Sequence, residues 1–334
     1  MVIFVINTNV PVSAQEKYCI VFYNVENLFD THNDPNTSDE EFLPQNSKHW
    51  TRKRFEQKIR MIYKALITAG EGKFPDIIGL AEVENIEVLE QLISKTPLNT
   101  VPYGIIHKDS PDPRGIDVAL LFRKDKVTPV DYEFIPVSDR GKYNFKSRDI
   151  IHFIAKLGKE HIHFFVNHWP SRSGGYTETK DKRNISAGIL RKHIDSLLIK
   201  DPNTNLLIMG DFNATPNEKC FTSILKALPY PWNGQPSYLI NLSTLWTKHA
   251  EGTIRNAGIW EVFDQMICSH GLLTNDVLKI DLRQCRICNF DFLLEPDQNH
   301  LGNKPFRTYL GPVYHGGISD HLPVKICINS KLNR

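Results

Sequence analysis

Cysteine is scarce. Six among 334 residues cannot build a disulfide scaffold, so the fold must rest on a hydrophobic core. Long apolar runs are missing too: none approaches the roughly eighteen residues that a membrane-spanning helix needs, and stable membrane insertion is not expected. Charge of one sign is not in excess. A net charge of +2 leaves no global basic field of the kind that announces a nucleic-acid binder, although local patches at Arg52-Lys53-Arg54 and Lys180-Asp181-Lys182-Arg183 remain, each as readily a solvated helix face. Nor is any Pro, Gly or Ser stretch long enough to be a linker. The chain therefore reads as a single α/β domain from residue 16 to 334, expected to be a monomer.

Residues 1–15 stand apart. They are apolar without a basic flank, and Val12-Ser13-Ala14 has the small-residue pattern that precedes signal cleavage, so they read as the remnant of an export signal; the alternative is a frayed start with no address. Export would place the protein in a bacterial periplasm or outside the cell. It would also allow Cys285 and Cys288 to bridge, since a lone Cys-x-x-Cys is weak evidence for zinc.

What is present is a repeated strand signal. Apolar runs at Tyr18 to Tyr23, Ile77 to Ala81, Val118 to Phe122, Ile151 to Leu157, Ile162 to Val166, Leu206 to Met209, Val262 to Cys268 and Pro323 to Ile328 are bounded by turn residues. Helices are expected where Phe55, Ile59, Ile62, Tyr63 and Leu66 recur behind a Thr51 cap, at Ile86 to Ser94, and at Ile185 to Ile199. Asp30 to His49 is polar and aperiodic, a long loop suited to rim a site.

Polar residues of one chemical kind collect at the strand ends. Asn24 lies past the first run, Glu82 and Glu84 past the second, His168 after another, and Asp211 and Asn213 after a fourth. Asp264 lies in Val262-Phe263-Asp264-Gln265, and Asp320 and His321 precede the last strand. Carboxylates, amides and imidazoles delivered to one rim suit a hard divalent cation with a base beside it, Mg²⁺ or Mn²⁺ rather than a thiolate-bound metal. Phosphoester hydrolysis asks for that combination: positive charge where the transition state becomes more negative, and a group to take a proton from water. Each element alone reads as well as a turn or a cap. Their joint placement favours chemistry.

Tyr23-Asn24-Val25-Glu26-Asn27-Leu28-Phe29-Asp30, Gly79-Leu80-Ala81-Glu82-Val83-Glu84-Asn85 and Arg114-Gly115-Ile116-Asp117-Val118-Ala119-Leu120-Leu121 are followed by Asn167-His168-Trp169-Pro170-Ser171-Arg172, Gly210-Asp211-Phe212-Asn213 and Gly317-Ile318-Ser319-Asp320-His321-Leu322-Pro323-Val324. In this order they resemble the endonuclease/exonuclease/phosphatase superfamily over nearly the whole chain after residue 17. The resemblance implies a four-layer αββα sandwich, two mixed sheets packed face to face with helices outside, and a site at one edge. It implies that Glu82 binds the cation with Asn24 and Asp320 in support, and that His321 is the general base oriented by Asp264. Asp211 and Asn213 would orient water or hold a second ion, and His168 would hydrogen-bond the scissile phosphate or protonate the leaving group. Arg172 is expected to reach a phosphate oxygen, with a solvent-exposed loop arginine as the alternative; Asp117 is placed near the substrate with a register open by one residue.

The expected substrate is a phosphate ester, first a nucleic acid, since the Arg114 and Asn167 motifs look most like exported bacterial nuclease-like members; second a small soluble phosphate ester. A catalytically idle binding module is the reading from another class, disfavoured because a binder needs neither Glu82 nor His321. Tyr230, Trp232, Tyr238 and Trp246 are expected to stack bases or, more simply, to pack beneath a loop.

Overall fold

The computed structural model describes residues 15–231, 234–247 and 251–331; the stretch read as an export remnant falls almost wholly outside them, as does Trp232. Two mixed sheets carry the fold. The first has six strands in the order Leu278–Ile287, Val324–Lys331, Gln15–Leu28, Ile77–Val83, Asp117–Arg123, Tyr103–His107. The second has seven: Ala227–Pro229, Leu239–Asn241, Asp264–Ser269, Leu206–Asp211, Glu160–His168, Ile150–Leu157, Val127–Ile135. Parallel pairs sit at the centre of each, Gln15–Leu28 with Ile77–Val83 and Leu206–Asp211 with Glu160–His168, and most other neighbours run antiparallel.

Strand periodicity explains the layering. In Leu206–Asp211, Leu207 and Met209 join the core between the sheets, whereas Leu206 and Ile208 join a second core on the other face. Phe164 and Val166 against Phe165 repeat that alternation. Both faces are buried, which is why these strands read as unbroken apolar runs. The sheets approach closely at Gly79, where a Cβ would stand 3.0 Å from the Met209 Cε.

Helices cover the outer faces. Helix α1 (Arg52–Ala69), capped by Thr51 as expected, buries Phe55, Ile59, Ile62 and Leu66 on the first sheet, beside α2 (Ile86–Ser94). Helix α3 (Tyr176–Lys200) buries Ala187, Leu190 and Ile194 on the second. It starts nine residues before the expected Ile185, because its first turns are polar and show no apolar period; even so, Arg183 there is fully buried, donating to the Thr179 hydroxyl. Lys180 to Arg183 is thus not simply a solvated face, whereas Arg52, paired with Glu56, is exposed. Three strand boundaries also differ: the first strand continues to Leu28, and the runs expected from Val262 and Pro323 begin at Asp264 and Val324. The Asp30 to His49 stretch is irregular apart from one short turn, pinned by Phe42 stacked on Phe29.

All six cysteines are free thiols, so the conditional Cys285–Cys288 bridge is not formed. Trp246 is buried with its Nε1 donating to the Cys285 carbonyl, and Tyr230 packs against the core. Among the described residues, no helix is long and apolar enough to cross a membrane.

Candidate active site

The site forms where the central strands of the two sheets end side by side. The first strand and its parallel neighbour both lose register there, between Asn24 and Leu28 and between Ala81 and Val83. These irregularities throw Glu26, Asn27 and Glu82 out of the ladder in left-handed backbone, at φ of 48°, 53° and 62°. Bulges re-aim side chains, and strained non-glycine backbone collects at functional sites. Asn24 to Asn27 therefore lie within a bent strand rather than beyond its end.

Glu82 is 16% exposed at its side chain. Its Oε2 accepts from the Asn27 amide at 2.9 Å, and its Oε1 has only the Asn24 Nδ2 at 3.4 Å and the His168 Nε2 at 3.9 Å. Lone pairs remain for a cation. Glu84 turns the other way: the strand ends at Val83, Glu84 accepts from the Asp30 amide, and burial pushes its carboxyl up to about 8.

The second sheet brings the Asp211 carboxylate, whose Oδ2 accepts from Asn24 Nδ2 at 2.9 Å and lies 3.6 Å from His168 Nε2 and 3.7 Å from His321 Nε2. Its Oδ1 accepts from the Asn213 amide, and Asn213, at φ 50°, donates to the Trp169 carbonyl. Close approach explains the motif glycines: a Cβ at Gly210 would sit 2.4 Å from the Asn167 carbonyl oxygen, and one at Gly317 would sit 2.1 Å from that of Phe306. His321 Nδ1 lies 2.7 Å from Asp264 Oδ2. Ser319 locks this loop in place, donating to the Asn24 carbonyl and accepting from the His321 amide.

The two site histidines differ electrostatically. Burial opposes a charge on His321, but Asp264 and Asp211 outweigh it and hold the imidazole well above its ordinary value. Burial pushes Asp211 up, against the pull of His321. His168 falls well below its ordinary value through burial, with Arg148 and Arg114 adding to the effect, and its buried Nδ1 has no hydrogen-bond partner.

Donor chemistry tells which residues fit a divalent ion. Asp211, Asp264 and His321 are close enough to share one. Yet Asp264 is fully buried and its Oδ2 is engaged with His321, so this trio is better suited to hold a proton than a cation. Glu82 and Asp320, 16% and 29% exposed at their side chains, offer carboxylate oxygens that suit a hard ion retaining several waters. Asn24 supports Glu82 through its Nδ2 while its Oδ1 accepts from the Glu26 amide.

A supporting layer escaped sequence reasoning. Arg307 donates to Glu26 at 2.8 Å and to Asp320 at 3.0 Å, and Glu26 also accepts from the Thr308 amide. Lys58 donates to the Glu26 carbonyl and to the Thr308 hydroxyl; burial drives its ammonium down to about 8 against the pull of Glu26, Glu82 and Asp320. A lysine inside the Phe55–Ile59–Ile62 stripe was the available signal. Arg307 had none.

Two further expected residues have protein partners of their own. Arg172 donates to the Asn213 carbonyl, Glu261 and Glu218, so its guanidinium braces the Asn213 loop. Asp117 accepts from the Ser110 amide and lies 3.9 Å from His107.

The family profile described as Endonuclease/Exonuclease/phosphatase family matches residues 19–330. No curated protein sequence matches the chain. Among solved structures it is similar to D. rerio TDP2 complexed with single strand DNA product, at 13% identity and TM-score 0.55, covering 94% of this chain and 99% of that one. It is similar to a Bacteroides thetaiotaomicron mannosyl-6-phosphatase at 16% and 0.55, covering 93% and 99%, and to the human Nocturnin catalytic domain with bound sulfate at 16% and 0.55, covering 94% of each. These likenesses carry the fold, and the profile carries the family. The chain belongs to the endonuclease/exonuclease/phosphatase family, whose members are divalent-metal-dependent phosphoesterases.

Proposed function

We propose that the protein is a Mg²⁺- or Mn²⁺-dependent phosphodiesterase acting on nucleic acid. In this reading Glu82, Asp320 and Asn24 hold the cation, which when bound supplies positive charge against the scissile phosphate. His321 presents Nε2 to the attacking water because Asp264 occupies Nδ1, fixing its direction. The carboxylates that favour a proton on the ring also stabilise the imidazolium formed in the reaction, so activity should rise with pH as the resting ring loses its proton. Asp211, within 4 Å of both histidines, positions the water with Asn213. His168 lacks a carboxylate hydrogen-bonded to its second nitrogen; being buried, it gives a neutral hydrogen bond to a phosphate oxygen rather than a proton to the leaving group.

Basic groups on two flanks of the cluster support a polyanionic substrate. Arg307 and Lys48 line the recess beside Asp320, while Arg114, Lys146, Arg148 and Lys182 line another, next to the loop after His168. A strand crossing the site would place neighbouring phosphates on both. Plasmid and oligonucleotide cleavage with Mg²⁺ or Mn²⁺ tests this, with EDTA and His321→Ala as controls. Lys146→Ala combined with Lys182→Ala should raise KM for DNA while sparing a chromogenic phosphodiester.

One observation favours a second reading, a small phosphate ester. The recess holding Arg307 and Lys48 is a cavity of about 160 Å³ walled by Phe42 and Tyr309, a shape suited to one compact group. Hydrolysis of a sugar phosphate with no cleavage of DNA or RNA would decide for it.

A further inference from the structure

On the far face of the second sheet, under α3, a separate group of imidazoles surrounds one carboxylate. Glu133 and His152 face each other across the Val127–Ile135 and Ile150–Leu157 strands, and His193 comes from α3. His152 Nδ1 lies 2.8 Å from Glu133 Oε1, His193 Nε2 lies 3.1 Å from that oxygen, and the two nitrogens are 3.2 Å apart. The three donor atoms therefore form a nearly equilateral triangle. Bonds of about 2.0–2.1 Å to a tetrahedral zinc imply donor separations of about 3.3 Å, so this triangle is one face of such a tetrahedron drawn in by a few tenths of an ångström.

The surroundings fit a ligand set. The His152 ring is buried and stacked on Phe165 at 4.4 Å with an interplanar angle of 1°, which fixes the direction of Nδ1. Its other nitrogen, Nε2, is 2.8 Å from His163 Nδ1. With the proton on Nε2 and donated to His163, Nδ1 presents its lone pair outward, the arrangement in which ligating histidines are held by an outer partner. Glu133 is 54% exposed at its side chain, leaving the fourth position open to solvent. Two imidazoles with one carboxylate select a borderline ion such as Zn²⁺ over Mg²⁺, the opposite preference from the oxygen set at Glu82.

We propose that Glu133, His152 and His193 form a zinc site, separate from the phosphoesterase centre, that clamps α3 onto the second sheet. The ion replaces the protons shared among the three donors and ties two strands to a helix.

The test uses the full chain incubated with excess ZnCl₂, freed of unbound metal by gel filtration and assayed for bound zinc and melting temperature. Wild type should retain one zinc more than His193→Ala or Glu133→Gln, and zinc should raise its melting temperature but not theirs. Both variants should keep Mg²⁺-supported activity and melt near wild type without zinc. Glu82→Ala should still retain this zinc, which separates it from zinc bound at the catalytic centre. With Co²⁺ in its place, wild type should show four-coordinate visible absorption that His193→Ala lacks. Equal zinc content and equal melting shifts in wild type and both variants would overturn the proposal.

Discussion

Two buried carboxylate–imidazole pairs in this protein have the same parts and different roles. In Asp264–His321 the closest atoms are 2.7 Å apart; in Asp117–His107 they are 3.9 Å apart and no hydrogen bond joins them. Around His321, Asp264 and Asp211 overcome burial and hold the ring well above its ordinary value. Around Asp117 burial dominates, pushing the carboxyl up to about 7, while burial also lowers His107. One pair holds a proton between charged partners; the other settles toward two neutral groups. Residue types alone do not make an acid–base pair, because about an ångström of separation decides whether Coulomb attraction repays desolvation.

The largest effect expected from this contrast is at His321. His321→Ala should cut kcat by about 10²–10⁴-fold while leaving cation affinity intact, as measured by activity against Mg²⁺ concentration and by calorimetric titration. His107→Ala should leave kcat within a small factor of wild type. An equal loss in both would erase the distinction between the pairs. Glu82→Ala comes next. It should weaken the cation by more than the about 10–100-fold typical of losing an outer partner, with activity partly restored at high Mn²⁺.

Lys58→Met probes the supporting layer. The ammonium is buried and hydrogen-bonded to the Glu26 carbonyl and the Thr308 hydroxyl, so its removal should cost about 1.5–3 kcal/mol in urea denaturation, the range for hydrogen bonds involving a charged group. It should also raise the cation concentration needed for activity, because the Glu26–Arg307–Asp320 chain loses its anchor.

Legibility follows the same physics. The central strands and the polar rim are legible because they depend on local pattern: apolar runs buried on both faces, and short motifs whose glycines permit close backbone approach. Tyr103–His107, Val127–Ile135, Leu278–Ile287, Ala227–Pro229 and Leu239–Asn241 are not among the expected runs, being edge strands with partly or fully exposed positions or only three residues long. Helix α3 starts nine residues before its apolar period, because Tyr176 to Asn184 is held by specific contacts, such as Arg183 to Thr179, which leave no such period. Arg172 is less legible, because a guanidinium beside a motif histidine looks the same in sequence whatever anions it meets. Glu218 and Glu261, which occupy it, are 46 and 89 residues away. Arg307 lies 281 residues from Glu26, and nothing local announces that contact.

Asp117→Asn is the smallest and finest probe of the contrast. In the folded protein the Asp117 carboxyl titrates at about 7 against an ordinary 3.8, chiefly through burial, with Asp109 and Asp112 adding repulsion and Ser110 opposing it by hydrogen bonding. Between these values the folded state keeps a proton that the unfolded chain has released, so stability falls as pH rises from about 4 to 7 and then levels off. Asparagine keeps an acceptor for the Ser110 amide and carries no charge to bury. The variant should therefore match wild type near pH 4 and become more stable on the order of 2 kcal/mol by pH 8, a discounted conversion of the shift at about 1.4 kcal/mol per unit, with turnover unchanged. A gap that stays constant with pH would mean that Asp117 is already charged in the fold, and that the two pairs differ less than their distances imply.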